Sequence, residues 1–195
     1  MKTQNRWSRR DLSRLPEDIT RYELWDGELI VTPVPTMRHQ EIVRRLMKLF
    51  ALLDPDDTLG RLYAAAADVV FDDHWIYQPD LFFIAADRVN IIKPRYVEGA
   101  PDMCIDILAP TTTAWSVARR RRVYEKFGVK EYWLINPFDK SLEIWKLQEG
   151  RLQLVGEYIE KQMASSQLLE GLSVGISALF EGLPDEPPAF EDIVE

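Results

Sequence analysis

Residues 102–136 read DMCIDILAPTTTAWSVARRRRVYEKFGVKEYWLIN, and this stretch decides the fold. Asp102 to Leu108 has the apolar density of a buried strand, and Pro110 with the threonines after it supplies a stop and a helix cap. Thr113, Val117, Arg120, Tyr124 and Phe127 recur in steps of four, three, four and three, so they share one face of a helix that ends at Gly128. Glu131 to Asn136 follows as an aromatic and β-branched strand. Strand, helix and strand in that order predict a right-handed crossover between parallel strands, and a mixed α/β fold.

Working upstream, Tyr22-Glu23-Leu24-Trp25 and Glu28-Leu29-Ile30-Val31 flank Asp26-Gly27, the pair that a type I′ hairpin turn favours. Met37 to Leu53 places Ile42, Val43, Leu46, Met47, Phe50 and Leu53 at helical spacing, with His39 on the same stripe in the first turn. Leu62 to Phe71 and Trp75 to Ile84 read as antiparallel neighbours, followed by a loop to Asp102. Downstream, Leu142 to Leu147 and Leu152 to Tyr158 suggest a meander, and Gly171 to Phe180 adds a last apolar piece. Residues 1–20 are expected to form an arm or short helix, 21–182 the folded domain, and 183–195 an acidic, proline-rich tail.

The chain has 195 residues, ample apolar content for a core, and a net charge of −8. Nine of its acids lie in residues 157–195 against one base, Lys161, so the remainder is neutral by count. Composition therefore neither demands nor excludes a polyanion partner. No apolar run is long enough to span a bilayer and the start lacks a secretory pattern, so a soluble, cytoplasmic setting is expected. The single cysteine, Cys104, reads as a buried structural thiol rather than a nucleophile.

Two strand carboxylates, Asp80 and Asp106, sit among apolar neighbours, and Arg120 lies inside the apolar face of the following helix. Burying such acids alone is prohibitive, so a cation is expected beside them. One reading is a divalent-metal site, with Asp80, Asp106 and the Ile107 carbonyl as hard oxygen ligands for Mg²⁺. The other is a buried Asp-Arg-Asp ion network that fixes strand register. Asp102, at the strand's start, is expected to be solvated. Glu23 or Glu28 could add a third carboxylate, and His39 reads either as a packing residue or as a group of the site. The run Arg119 to Arg122 points in four directions around a helix and cannot form a flat patch. The tryptophans fit a core or an interface better than a base-stacking platform.

The order Tyr22-Glu23-Leu24-Trp25-Asp26-Gly27-Glu28-Leu29, His39 opening a helix, Gln78-Pro79-Asp80, Gly99-Ala100-Pro101-Asp102 with Asp106-Ile107-Leu108-Ala109-Pro110-Thr111, then Tyr124, Gly128-Val129 and Glu131-Tyr132-Trp133 resembles the Uma-two restriction-endonuclease family of the PD-(D/E)xK nuclease superfamily. The resemblance implies a restriction-endonuclease-like mixed sheet with flanking helices and Mg²⁺-dependent hydrolysis of DNA, with Mn²⁺ as a substitute ion and a homodimer as a working form. It further implies Asp80, Asp106, Arg120 and His39 as catalytic residues; with the strand and hairpin reading above, the expected metal ligands are Asp80, Asp106, Ile107 and Glu28. Two departures stand out: Leu108 occupies the superfamily's lysine position, and Arg120 stands where this family supplies its lysine from the helix. Arginine keeps the charge but does not serve as a general base. A catalytically silent binding module on the same fold is therefore the alternative, and a hydrolase for a small phosphorylated substrate a third.

Overall fold

A computed structural model describes residues 6–15, 21–32 and 34–185. Its backbone is a six-stranded sheet packed beside a five-stranded one, with two long helices. The larger sheet runs in the order β11(Arg151–Ile159), β10(Ser141–Gln148), β9(Glu131–Asn136), β8(Met103–Ile107), β6(Leu81–Ala85) and β3(Gly60–Ala64). β8 pairs in parallel with β9 and antiparallel with β6. The predicted crossover is present: helix α3(Ala114–Phe127) joins β8 to β9, capped by Thr113 and closed by Gly128 in the left-handed region at φ 85°.

The second sheet runs β2(Glu28–Thr32), β1(Arg21–Trp25), β5(Trp75–Tyr77), β4(Asp68–Val70) and β7(Tyr96–Glu98). Asp26 and Gly27 turn between β1 and β2 with positive φ at both positions, as a type I′ hairpin requires. The two runs expected as single antiparallel neighbours do pair, but each is broken: β3 pairs with β6 in one sheet and β4 with β5 in the other. The first run breaks at Ala65-Ala66-Ala67 and the second at Gln78-Pro79-Asp80, where proline cannot continue a ladder. The second break leaves Asp80 at the seam between the sheets. The expected loop before Asp102 also holds a 3-10 helix, Ala86–Ile91, and the short β7.

All five residues of β8 are buried, so alternate side chains feed two cores. Met103, Ile105 and Ile107 join Ile42, Leu46 and Phe50 of helix α2(Met37–Leu53), while Cys104 joins Val123 and Tyr124 of α3. Asp106 shares the parity of Cys104 and so faces α3. The last elements are β12(Met163–Ser165), β13(Ser173–Gly175) and α4(Ile176–Phe180). Of the residues expected as an N-terminal arm, 9–12 form one helical turn, α1(Arg9–Leu12), beside which the Trp7 carbonyl meets His74 Nδ1 at 2.8 Å. Residues 186–195 of the expected tail lie outside the described residues. No described helix is long and apolar enough to cross a membrane.

Candidate metal centre

The register of β6 and β8 pairs Leu81 with Ile105, so one rung beyond it Asp80 stands opposite Asp106. The two acids expected to converge therefore do so, although 25 residues separate them in the chain and neither lies far inside a strand. Both are buried. Asp80 Oδ2 accepts the Ile107 N–H at 2.8 Å and lies 3.1 Å from His39 Nε2, while Oδ1 is 3.2 Å from Arg21 Nη1. Asp106 Oδ2 accepts the Tyr124 hydroxyl at 3.0 Å, and Oδ1 lies 3.5 Å from Arg120 Nη1.

Arg120 lies partly buried on the core-facing side of α3, as its spacing predicts, but its shortest contact is neither aspartate. Nη2 donates to Glu23 Oε2 at 2.6 Å. Glu23 also accepts the Gln78 N–H at 2.7 Å and the Trp25 indole N–H at 2.8 Å. Glu23 is thus the third carboxylate of the cluster. Glu28 is not: it is largely exposed and pairs with Arg119 at 3.2 Å. The hairpin explains this correction, since Glu28 lies opposite Trp25 at the turn end and the indole separates it from Glu23.

His39 belongs to the cluster rather than to packing alone. Thr36 caps α2 and sets the histidine in its first turn, against Asp80. Ile107 enters through its N–H, the group that touches Asp80. Asp102, expected to be solvated, is buried: it accepts the Ala85 N–H and pairs with Arg88 at 2.9 Å and Lys130 at 2.8 Å. The 3-10 helix and the turn before β9 bring those two cations to it, which the local sequence does not reveal.

Sequence reasoning missed Arg21. It is buried at the start of β1, and Nη2 donates to the Gln78 carbonyl at 2.5 Å. The signal was present, because Arg21, Glu23 and Trp25 alternate onto one face of the strand. The four consecutive arginines do diverge: Arg119 lies over Trp25, Trp75 and Trp115, Arg120 over Tyr77, Arg121 over Trp145, and Arg122 is exposed.

The electrostatics follow from three carboxylates sharing two guanidinium groups. Burial pushes Asp80 up, but His39, Arg21 and the Ile107 N–H overcome it and hold the carboxyl below its ordinary value. Burial also pushes Asp106 up; Arg120 opposes, the charges of Asp80 and Glu23 add, and Asp106 titrates at about 6. Arg120, flanked by Asp106 and Glu23, is held more firmly protonated than an ordinary arginine.

Among the described residues no group of three or more His, Cys, Asp and Glu side chains is arranged to hold a metal ion; what the site offers a hard cation is carboxylate oxygen. Two carboxylates project from adjacent strands, and a third lies behind Arg120. An ion there must displace a hydrogen-bonded ion pair at Asp80, 3.2 Å from Arg21, and a looser one at Asp106, 3.5 Å from Arg120; the shortest bonds of the two arginines go to Gln78 O and Glu23. Around the acids, Arg21 Nε, His39 Nδ1, Tyr77 OH and Gln78 Oε1 are buried without a partner among the described residues. Of these, the Arg21 Nε–H is a donor and calls for water rather than a cation, whereas the Gln78 Oε1 acceptor suits either.

The family model Uma2, described as "Putative restriction endonuclease", matches residues 9–179. Among solved structures, a putative nuclease belonging to DUF820 from Anabaena variabilis superposes with a TM-score of 0.74 at 21% identity, over 88% of this chain and 96% of that one. That likeness concerns the fold. No curated protein matches the chain.

Proposed function

The chain belongs to the Uma2 family, and from that premise we propose that it is a divalent-metal-dependent endonuclease that hydrolyses DNA phosphodiester bonds. The observation that carries this reading is the facing pair Asp80 and Asp106, buried together at the seam of the two sheets with Arg21 3.2 Å from one and Arg120 3.5 Å from the other. Asp80 and Asp106 would hold the ion, with the Ile107 carbonyl as a further oxygen donor. When bound, Mg²⁺ or Mn²⁺ supplies Lewis-acid stabilisation of the charge that develops on phosphorus and lowers the pKa of a coordinated water.

The chain's own residues supply the rest. Arg120 stays cationic throughout, so it neutralises a phosphate oxygen and takes no proton. Glu23 fixes it by the 2.6 Å contact, which removes the entropy that a free arginine would lose on binding. Proton transfer falls to His39, whose Nε2 is oriented by Asp80 while Nδ1 has no partner among the described residues. Residues 21–182 form the working unit in this reading, in a cytoplasmic setting, and cutting both strands calls for a two-fold dimer, which sedimentation tests.

Supercoiled plasmid incubated with the protein and Mg²⁺ or Mn²⁺ is converted to nicked or linear forms, and Asp80→Asn or Asp106→Asn abolishes the conversion. Cutting that survives both substitutions rejects this site.

A second reading is favoured by one observation: all six carboxylate oxygens of Glu23, Asp80 and Asp106 already face a protein donor. A network so satisfied can serve as structure alone, leaving a nuclease fold used for binding. Calorimetry separates the two, since a silent module shows no Mn²⁺ heat and no cutting even with Arg120→Lys.

A further inference from the structure

The cluster holds an internal cation at the very carboxylate that the reading above assigns to a metal. Arg21 is buried, and its guanidinium forks between two acceptors: Nη2 donates to the Gln78 carbonyl at 2.5 Å and Nη1 to Asp80 Oδ1 at 3.2 Å. We propose that Arg21 is the resident counter-ion of the site, released from Asp80 when a divalent cation binds, so that it sets the cation affinity of the protein. The inference rests on Asp80 being a metal ligand.

Three features of the geometry lead there. Without Arg21, the metal-free protein would bury Asp80 opposite Asp106 and near Glu23 with His39, at 3.1 Å, as its remaining side-chain partner, because Arg120 is tied to Glu23 at 2.6 Å. A counter-ion at Asp80 is therefore required for the metal-free fold. Once a divalent ion occupies Asp80, a guanidinium nitrogen beside the same oxygen is repelled by it in a low-dielectric interior. Release is also mechanically simple, because rotation about the anchored Nη2 moves Nη1 away while the short bond to Gln78 persists. The two arginines thus differ in role: Arg120 is fixed by Glu23, and Arg21 yields.

Titration calorimetry with Mn²⁺ on the full chain, together with melting temperature with and without Mn²⁺, tests this with no reliance on cleavage. Arg21→Met removes the charge at similar length and is expected to bind Mn²⁺ about tenfold more tightly than wild type. It is also expected to melt lower without metal and to gain more on saturation. Arg21→Gln also removes the charge but keeps an N–H donor for the Gln78 carbonyl, so it too binds more tightly than wild type and decides the matter if Arg21→Met does not fold. Affinity equal to or weaker than wild type, in a folded variant, overturns the role of Arg21. If Asp80→Asn abolishes binding while the Arg21 variants match wild type, only this inference fails. If no protein in the series binds Mn²⁺, the metal reading fails with it.

Discussion

Arg120 and Glu23, 97 residues apart, meet at 2.6 Å in the interior, and this contact joins α3 of the crossover to the hairpin of the second sheet. Both partners are desolvated, so neither charge tolerates the loss of the other. The pair also explains why the arginine lies on an apolar helix face: it is aimed at a carboxylate that another sheet delivers.

Arg120→Met should therefore destabilise the protein by about 3–5 kcal/mol, the range for breaking a buried pair by removing one partner. Arg120→Lys should cost less, since the charge survives. Urea unfolding of the two variants at neutral pH checks the order; equal losses would mean that packing rather than charge is what Arg120 supplies.

The two candidate glutamates should behave oppositely. Glu23→Gln should lower stability by about 2 kcal/mol or more through the stranded arginine. Glu28→Gln, at an exposed ion pair with Arg119, should change it by no more than about 1 kcal/mol. In plasmid assays only the Glu23 change is expected to impair cutting, and a severe defect in Glu28→Gln would restore Glu28 to the site.

Asp106 titrates at about 6 in the folded protein, above the ordinary carboxylate value. Between the two values the native state binds more protons than the unfolded chain, so this group's contribution to stability falls as pH rises from about 4 to 6 and stays low above that. Asp106→Asn removes the effect. In EDTA, its stability relative to wild type should improve steadily from pH 4 to pH 7, and a flat difference across that window contradicts the assignment. Asp80, held below its ordinary value, has the opposite slope: its contribution is present above the ordinary value and disappears as pH falls through the folded one.

Asp102→Ala leaves Arg88 and Lys130 without their shared carboxylate and the Ala85 N–H without an acceptor. Because Arg88 and Lys130 are partly exposed and recover water, the expected loss is about 2–3 kcal/mol rather than the full cost of a stranded buried charge. Thermal melts read it. A loss under about 0.5 kcal/mol would place Asp102 among ordinary surface acids, as its position at a strand start suggests.

Much of the fold was legible because its signals are local. Asp26-Gly27 specifies its own turn, the stripe from Ile42 to Phe50 its own helix, and the sequence from Asp102 to Asn136 a crossover whose hand is set by chain geometry. The helical spacing of Arg120 with Val117 and Tyr124 likewise placed it in the interior without any knowledge of its partner.

Which charges neutralise one another was not legible, because ion pairs depend on which strands become neighbours. Glu23 and Glu28 are near-equivalent in the sequence, and only the docking of α3 over the hairpin, with Trp25 between them, selects Glu23 for Arg120 and leaves Glu28 to Arg119. Sequence by itself determined that buried acids here must find cations, since desolvation is too costly otherwise. Tertiary structure alone decided that Arg21 would be the one at Asp80, because the break at Pro79 brings the start of β6 beside the start of β1.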